Sequence, residues 1–532
     1  MEMRSRRLAC QSGYSAARRV ATLGAVVVAS ALCAPTLLAD DIGYEELVAR
    51  LGGAVPTGAG VRAAQCEAPE ASGTPIPYGP NQTLPEFAGK TFSAQSGTPA
   101  VSSHATFVAG VYYGNNSIAR GVGTIYLYEA NSFLSSHLRY GQGSSAAPVA
   151  PPSVLMKVYN HSWIGGLGTG GAPVAGDLEI LRRADFQMNR DDTLYCVGMN
   201  NGAASVTYPL MAMGYNGISV GRMDGDHSRG DVPAGADGPG RMKPEIVAPG
   251  NATSWAAPAV GAAALLLYDT TLSTLSSNPN ADETPVIKAC MLAGTTHRAG
   301  WTNNPVASGA QRGSTVKPLD AISGADLLNI DRSHLILTGG EIAGATSAAA
   351  AVAGPVVGWD YENLPATNAS RFWRFTISQS APEVSVIATW HRVASTSIAV
   401  PQLADLSLTL LRVGGDGTAV TLEGDAGAAF YGSGNVASRS AVDNIEHLYI
   451  RNLAAGDYII QMTRGGTSTA AAPFALAWFV SPREADLNRD GTVGGLDLAV
   501  LLGTWGEAGA GDIDRDGTTG GTDLARLLSD WG

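Results

Sequence analysis

Cysteine is scarce in this chain, with five residues among 532. Cys10 and Cys33 fall in the first forty residues, which leaves Cys66, Cys196 and Cys290 at irregular spacing. That excludes a disulfide framework and a Cys-x-x-Cys metal site. One disulfide plus one buried thiol is the most the count allows. Charge is also thin: charged residues are 15% and the net charge is -12. The chain therefore lacks the basic surplus that nucleic acid or an anionic membrane would require of a partner. Glycine is abundant but has no Gly-x-y period, so collagen is excluded. Beyond the N-terminal stretch no run is apolar and long enough to span a bilayer. Such a length exceeds one ordinary core, so two or three domains are expected.

The N-terminus reads MEMRSRRLACQSGYSAARR and then VATLGAVVVASALCAPTLLA, with small residues before Asp40-Asp41. A basic segment, an apolar segment and a small-residue end make residues 1–39 a secretory signal. Pro35 interrupts the apolar part, which is short for a span. The mature protein is expected to be secreted, in the periplasm, at the cell surface or in the medium, with no span after signal removal.

Residues 40–337 read as an α/β domain. VLMKVYN (154–160) and TLYCVGM (193–199) are short apolar runs of the kind buried on both faces of a parallel sheet. WAAPAVGAAALLLYD, from Trp255, is a small-residue helix suited to close packing on a sheet. Residues 338–358 are Gly/Ala-rich and read as a linker with room for one strand. From 359 to 482 the period becomes two. RFWRFTIS, EVSVIATWHR, LSLTLLRVG, HLYIRNL, DYIIQMTR and FALAWFV are separated by turn residues, which points to a β-sandwich. Within it, Asp443-Asn444-Ile445-Glu446-His447 reads as polar residues holding a corner rather than as a site.

Residues 484–532 hold ten acidic against three basic residues and contain a repeat. DLNRDGTVGGLDLAVLLGTWG starts at Asp486, and DIDRDGTTGGTDLARLLSDWG starts 26 residues later at Asp512. A calcium loop needs oxygen donors at alternating early positions, a Gly for the turn and a late carboxylate. The first copy offers Asp486, Asn488, Asp490, the Thr492 carbonyl and Asp497. The second offers Asp512, Asp514, Asp516, the Thr518 carbonyl and Asp523. The late position is Asp where an EF-hand has Glu. Leu498, Leu501, Leu502 and Trp505 are read as helix-packing residues. The tail resembles the dockerin module, a small all-α pair of EF-hand-like repeats. That resemblance implies structural calcium and a cohesin-like partner.

In the α/β part, Ser254 stands at a turn into the small-residue helix, where the helix dipole favours a nucleophile. His104 opens HATFVAGVYYG, another helix of small and apolar residues. Nucleophile and base are two of the parts that acyl-transfer chemistry needs.

KPEIVAPG (243–250) followed by TSWAAPAV (253–260) resembles the serine block of the subtilisin-like serine peptidases. SHATFVAGVYYG (103–114) resembles their histidine block. LYCVGMNNGA, from Leu194, resembles the strand and turn that carry the oxyanion Asn, here Asn200. VYNHSWIGG (158–166) resembles the strand beside the specificity pocket, with Ser162, Trp163, Ile164 and Gly165 at its edge. The blocks follow the family's order over residues 58–335. The acidic block is GVRAAQCEAP, so Glu67 takes the place of the family's Asp; Ala68-Pro69 replaces Thr-Gly, Ala105 replaces Gly, and Trp255 replaces Met. The stretch between Gly250 and Thr253 is also unusually short. The resemblance implies a three-layer subtilisin-like fold. It further implies a secreted serine endopeptidase that cleaves protein or peptide through Glu67, His104 and Ser254. The competing expectation is an inactive scaffold of this kind used for binding or surface attachment.

Overall fold

The computed structural model describes residues 42–531 apart from 143–153, 208–209, 366–367, 394–399, 401, 467–471, 489–491 and 514–516. The expected signal lies outside them. Among the described residues no helix is long and apolar enough to cross a membrane.

Seven strands form the first sheet: β1 (Ala63–Glu67), β2 (Thr91–Ala94), β3 (Thr124–Glu129), β4 (Val158–His161), β5 (Leu194–Gly198), β6 (Ile218–Arg222) and β7 (Ile246–Ala248). Their order is β7-β6-β5-β4-β1-β3-β2, parallel throughout. Every residue of β1, β4 and β5 is buried, which is why these segments read as apolar runs without alternation. The helices are α1 (Tyr44–Leu51), α2 (Ser103–Tyr113), α3 (Ala175–Asp191), α4 (Thr253–Ser273), α5 (Thr284–Ala293) and α6 (Ile330–Gly339). α2 and α4 share one core with one sheet face, and α3 shares a second core with the other. The chain passes from β3 to β4 on the far side of β1. The crevice at the carboxyl ends of such strands is where open α/β sheets place their sites.

α2 and α4 meet at close range. A Cβ on Gly261 would lie 2.8 Å from the buried Tyr112 ring, so glycine sets the approach of the two helices.

All six strands expected after residue 359 form, with a seventh before them. They are β8 (Val357–Asn363), β9 (Ser370–Ile377), β10 (Ala381–Thr389), β11 (Leu406–Val413), β12 (Ile445–Leu453), β13 (Gly456–Arg464) and β14 (Pro473–Val480). One antiparallel sheet has β8-β14-β10-β12, the other β11-β13-β9. Residues 338–358 are not a free linker. Ala353–Gly354 pairs with β9, and Trp359 Nε1 donates to the Leu337 carbonyl at 2.8 Å. Ser314–Thr315 from the α/β part joins a sandwich sheet beside Ala437–Ser438. Trp359, Ile387, Ile445 and Phe479 belong to the same buried cluster as Leu292 and Ile336. Arg392 crosses the junction to Asp185 at 2.6 Å and Asp237 at 3.0 Å. In the Asp443–His447 run Glu446 accepts from the Ser440 amide and the Ser438 hydroxyl, and Asn444 donates to the Tyr215 carbonyl across the junction at 3.0 Å.

Cys66, Cys196 and Cys290 are all buried and free, so the allowed disulfide does not form. Cys66 faces the α3 core and Cys196 the α4 core, on opposite sides of the sheet, while Cys290 sits on α5.

The C-terminal repeat forms α7 (Gly495–Gly503) and α8 (Gly521–Ser529) around Ala485, Val493, Leu501, Ile513 and Leu527. Leu498 packs on this small core. Leu502 and Trp505 do not: they are 54% and 48% exposed. With 100° per residue, Leu501 turned inward leaves Leu502 at the rim, and the core is too small to wrap the next turn.

Candidate active site

β1 ends at Glu67, and period-two alternation puts Gln65 and Glu67 on the same face, toward α2. Both are buried, at 1% exposure. His104 is in the first turn of α2. Ser102 caps that helix by accepting from the Ala105 amide at 3.0 Å. Glu70 accepts from the Ser103 amide at 2.7 Å and from the Ser103 hydroxyl. Glu70 therefore fixes the helix start and does not compete for the imidazole. His104 Nδ1–H donates to Glu67 Oε2 at 2.8 Å.

The second Glu67 oxygen is also held. Gln65 Nε2 donates to Glu67 Oε1 and to the Ala105 carbonyl, each at 2.9 Å. Gln65 Oε1 accepts from the Tyr113 hydroxyl. The amide can sit only one way, because its nitrogen faces two acceptors and its oxygen faces a donor. The longer Glu side chain is thus clamped at both oxygens. Nothing in the sequence marked Gln65 or Tyr113. The signal that could have found Gln65 was strand alternation, and for Tyr113 the long stride along α2.

Burial pushes the Glu67 carboxyl up from its ordinary value, and the hydrogen bonds of His104 and Gln65 pull against it. Burial pushes His104 down, but the hydrogen bond and charge of Glu67, with the charge of Glu70, more than offset this and raise it above 6.5. Two N–H donors, from His104 and Gln65, converge on the Glu67 carboxyl, and hydrogen bonds of this kind favour its charged form.

Ser254 is the second residue of α4. Its amide makes no hydrogen bond among the described residues, as first-turn amides are free to do. Neighbouring Thr253 N–H is occupied by Asn201 Oδ1 at 2.8 Å. Asn201, too, went unnoticed in the sequence. Pro258 lies inside α4 and has no N–H to offer the Ser254 carbonyl four residues back. Ser162 Oγ takes that place, donating to the Ser254 carbonyl at 3.1 Å, and Asn160 Nδ2 donates to Ser162 Oγ at 2.9 Å. Ser254 Oγ donates to the Ser162 carbonyl at 3.4 Å, not to the His104 ring. Asn200 follows β5, and its side-chain amide rests on the Val206 carbonyl at 3.4 Å.

Of the residues expected at the pocket edge, Ser162 sits beside Ser254, Ile164 is 39% exposed and Gly165 is half-buried. Trp163 is different: it lies in the α3 core at 9% exposure. Alternation along the strand carries Tyr159, His161 and Trp163 to that same inner face, so Trp163 is a core residue and not a wall of an open pocket.

In the tail, Asp497 accepts from the Gly494 amide at 2.7 Å and the Asn488 amide at 3.1 Å. Asp523 accepts from the Gly520 amide at 2.7 Å, and Asp512 from the Gly517 amide at 2.8 Å. Asp486, Asp497 and Asp523 are buried. Asn488, Thr492 and Thr518 are described in the same two loops. Asp490, Asp514 and Asp516 lie outside the described residues. Among the described residues no three His, Cys, Asp or Glu groups converge as a metal site. The donors are all oxygen, which suits a hard cation such as calcium.

No family profile matches the chain, and no curated protein does. Solved structures do. It is similar to a serine-to-alanine mutant of the protease domain of PatA, at 16% identity over 54% of this chain and 98% of that one, TM-score 0.35. It is also similar to the serine protease of Aeromonas sobria, at 12% identity over 79% of this chain and 88% of that one, TM-score 0.34.

Proposed function

We propose that the protein is a secreted serine endopeptidase working through Glu67, His104 and Ser254. The observation that carries the reading is the Glu67–His104 contact at 2.8 Å, in which the buried carboxylate is clamped from behind by Gln65. An imidazole held in one tautomer by a carboxylate is what a serine nucleophile requires of its base. In the reaction His104 takes the Ser254 proton as the hydroxyl attacks the peptide carbonyl. The Ser254 amide and the Asn200 side chain receive the developing oxyanion. His104 then protonates the leaving amine, and water releases the acyl group from Ser254. Asn200 reaches this role by turning from the Val206 carbonyl, a weak tether at 3.4 Å.

The second reading, a binding protein with an idle site, draws on Ser254 Oγ resting on the Ser162 carbonyl at 3.4 Å. Catalytic hydrogen bonds commonly tighten only with substrate in place, and an idle site has no need of the Gln65 clamp.

For the tail we propose calcium held by Asp486, Asn488, Asp490, the Thr492 carbonyl and Asp497, and by Asp512, Asp514, Asp516, the Thr518 carbonyl and Asp523. Bound calcium would neutralise the acidic loops and tie each to its helix. A cohesin-like partner would make the module an attachment device for the enzyme. The function is tested by incubating the mature protein with an unstructured protein such as casein, beside Ser254→Ala. New peptide termini made by the wild type alone support the peptidase. Equal inertness of two folded, calcium-loaded proteins favours the binding protein.

A further inference from the structure

The helix that carries Ser254 has no cap of its own. Ala252 stands at its N-cap position with extended backbone and has no side-chain acceptor to give. A Ser, Thr, Asp or Asn there would accept from the second or third amide of the helix. The second amide is that of Ser254. Alanine at 252 therefore leaves this N–H uncontested, and the capping oxygen comes from elsewhere in the chain. Asn201 Oδ1 accepts from the Thr253 amide, the first of the helix, at 2.8 Å. The Asn201 side chain must turn its oxygen to that N–H, because its nitrogen can only donate.

The same contact joins the two places from which an oxyanion would be bonded. Asn200 lies in the turn after β5, and the residues on either side of it both hold Thr253. The Met199 carbonyl accepts from the Thr253 hydroxyl, and Asn201 accepts from the Thr253 amide. Thr253 in turn adjoins Ser254. On its other side the turn is fixed to the segment before Arg229. The Asn200 amide donates to Ser228 Oγ at 3.1 Å, the Ser228 amide to the Asn200 carbonyl at 2.8 Å, and the Gly202 amide to the Asp226 carbonyl at 3.0 Å. The backbone beneath Asn200 is thus set, and its distance from the Ser254 amide is governed by the bonds to Thr253. Two donors serve one oxyanion only if both come within roughly 2.7–3.1 Å of the same atom. A misplacement of about 1 Å can cost on the order of a hundredfold in rate.

Resting on the peptidase reading, we infer that Asn201 is a positioning residue of the oxyanion site: by capping α4 from outside, on the Thr253 amide, it sets the separation of the Asn200 and Ser254 donors and leaves the Ser254 N–H for the substrate.

Asn201→Ala and the double variant Asn201→Ala/Ala252→Ser separate this role from helix capping. Each is measured beside the wild type for Tm, and for kcat and KM on one peptide well below the unfolding midpoint. Asn201→Ala should lower Tm, and should lower kcat at least about tenfold with KM within about twofold, because the bridge acts on the transition state. Adding Ala252→Ser gives α4 a local cap and should recover Tm. It should leave kcat low, since turn and helix remain unjoined. Recovery of Tm and kcat together would show that Asn201 only caps the helix, which overturns the inference. An Asn201→Ala enzyme with lowered Tm but kcat within about twofold of wild type overturns it too. In both cases the wild type still cleaves the peptide, and the peptidase reading stands. A wild type that cleaves no peptide and whose Ser254 is not modified by a fluorophosphonate overturns both.

Discussion

The two halves of the site are built differently. The acid–base half is tightly bonded: the buried Tyr113, Gln65 and Glu67 and the half-buried His104 form one chain of hydrogen bonds anchored on β1 and α2. The nucleophile half is looser. Ser254 Oγ and the Asn200 amide each rest on a backbone carbonyl at 3.4 Å, and the Ser254 amide makes no hydrogen bond among the described residues. The first half must keep an ionised carboxylate out of water, which costs several kcal/mol unless donors surround it. On the proposed peptidase reading the second receives a substrate, so firm internal partners there would have to be broken at every turnover.

Predictions follow from that contrast, in order of size. Removing the charge of the rigid half by Glu67→Gln should lower kcat by up to about ten-thousandfold, as wrong-tautomer variants of such triads do. Steady-state kinetics on a peptide would show it; a loss below tenfold would mean Glu67 does not orient His104. In the loose half, Asn200→Ala should cost roughly a hundred- to a thousandfold in kcat with little change in KM, because the side chain engages only the developing oxyanion. An effect on KM alone would place Asn200 in ground-state binding.

Gln65→Leu leaves one carboxylate oxygen without its donor, worth about 1–3 kcal/mol, or roughly five- to 150-fold in rate. The pH profile separates this from general damage. With His104 held above 6.5, activity should rise with pH through a midpoint above that value as the ring loses its proton. The midpoint should fall in Glu67→Gln, where the charge is gone. The same pairing stabilises the fold fully below the unfolded imidazole value, and that contribution fades as pH rises through the folded one. The smallest effect is expected from Ser162→Ala. It frees the Ser254 carbonyl that Pro258 cannot satisfy, costing about 1 kcal/mol, or roughly fivefold in kcat/KM.

How much of this was legible in the sequence depended on whether the signal was local. The Ser254 and His104 segments each carry their own pattern of small residues around a polar one, and both fall at helix starts. The strands after 359 show their period of two directly. Gln65 carries no motif; its role exists only because β1 alternation and the position of α2 bring Tyr113 and Ala105 to it. Trp163 stands at the pocket edge by the family resemblance, and only the alternation that continues past the end of β4 sends it to the core. The junction was missed because Gly/Ala-rich residues 338–358 resemble a linker, while the pairing that binds them is long-range. In the tail the repeat was plain, but which of Leu501 and Leu502 turned inward depended on how small a core the two helices enclose.

The central claim is that Ser254 is an activated nucleophile, and its phosphonylation is the most direct measure. The calcium-loaded mature protein, with Glu67→Gln and Ser254→Ala beside it, would be treated with a fluorophosphonate and the adduct located by peptide mass spectrometry. The account predicts rapid labelling at Ser254 in the wild type, labelling slowed by orders of magnitude in Glu67→Gln, and none in Ser254→Ala. Wild-type protein that stays folded and unlabelled, or that labels no faster than Glu67→Gln, would contradict it.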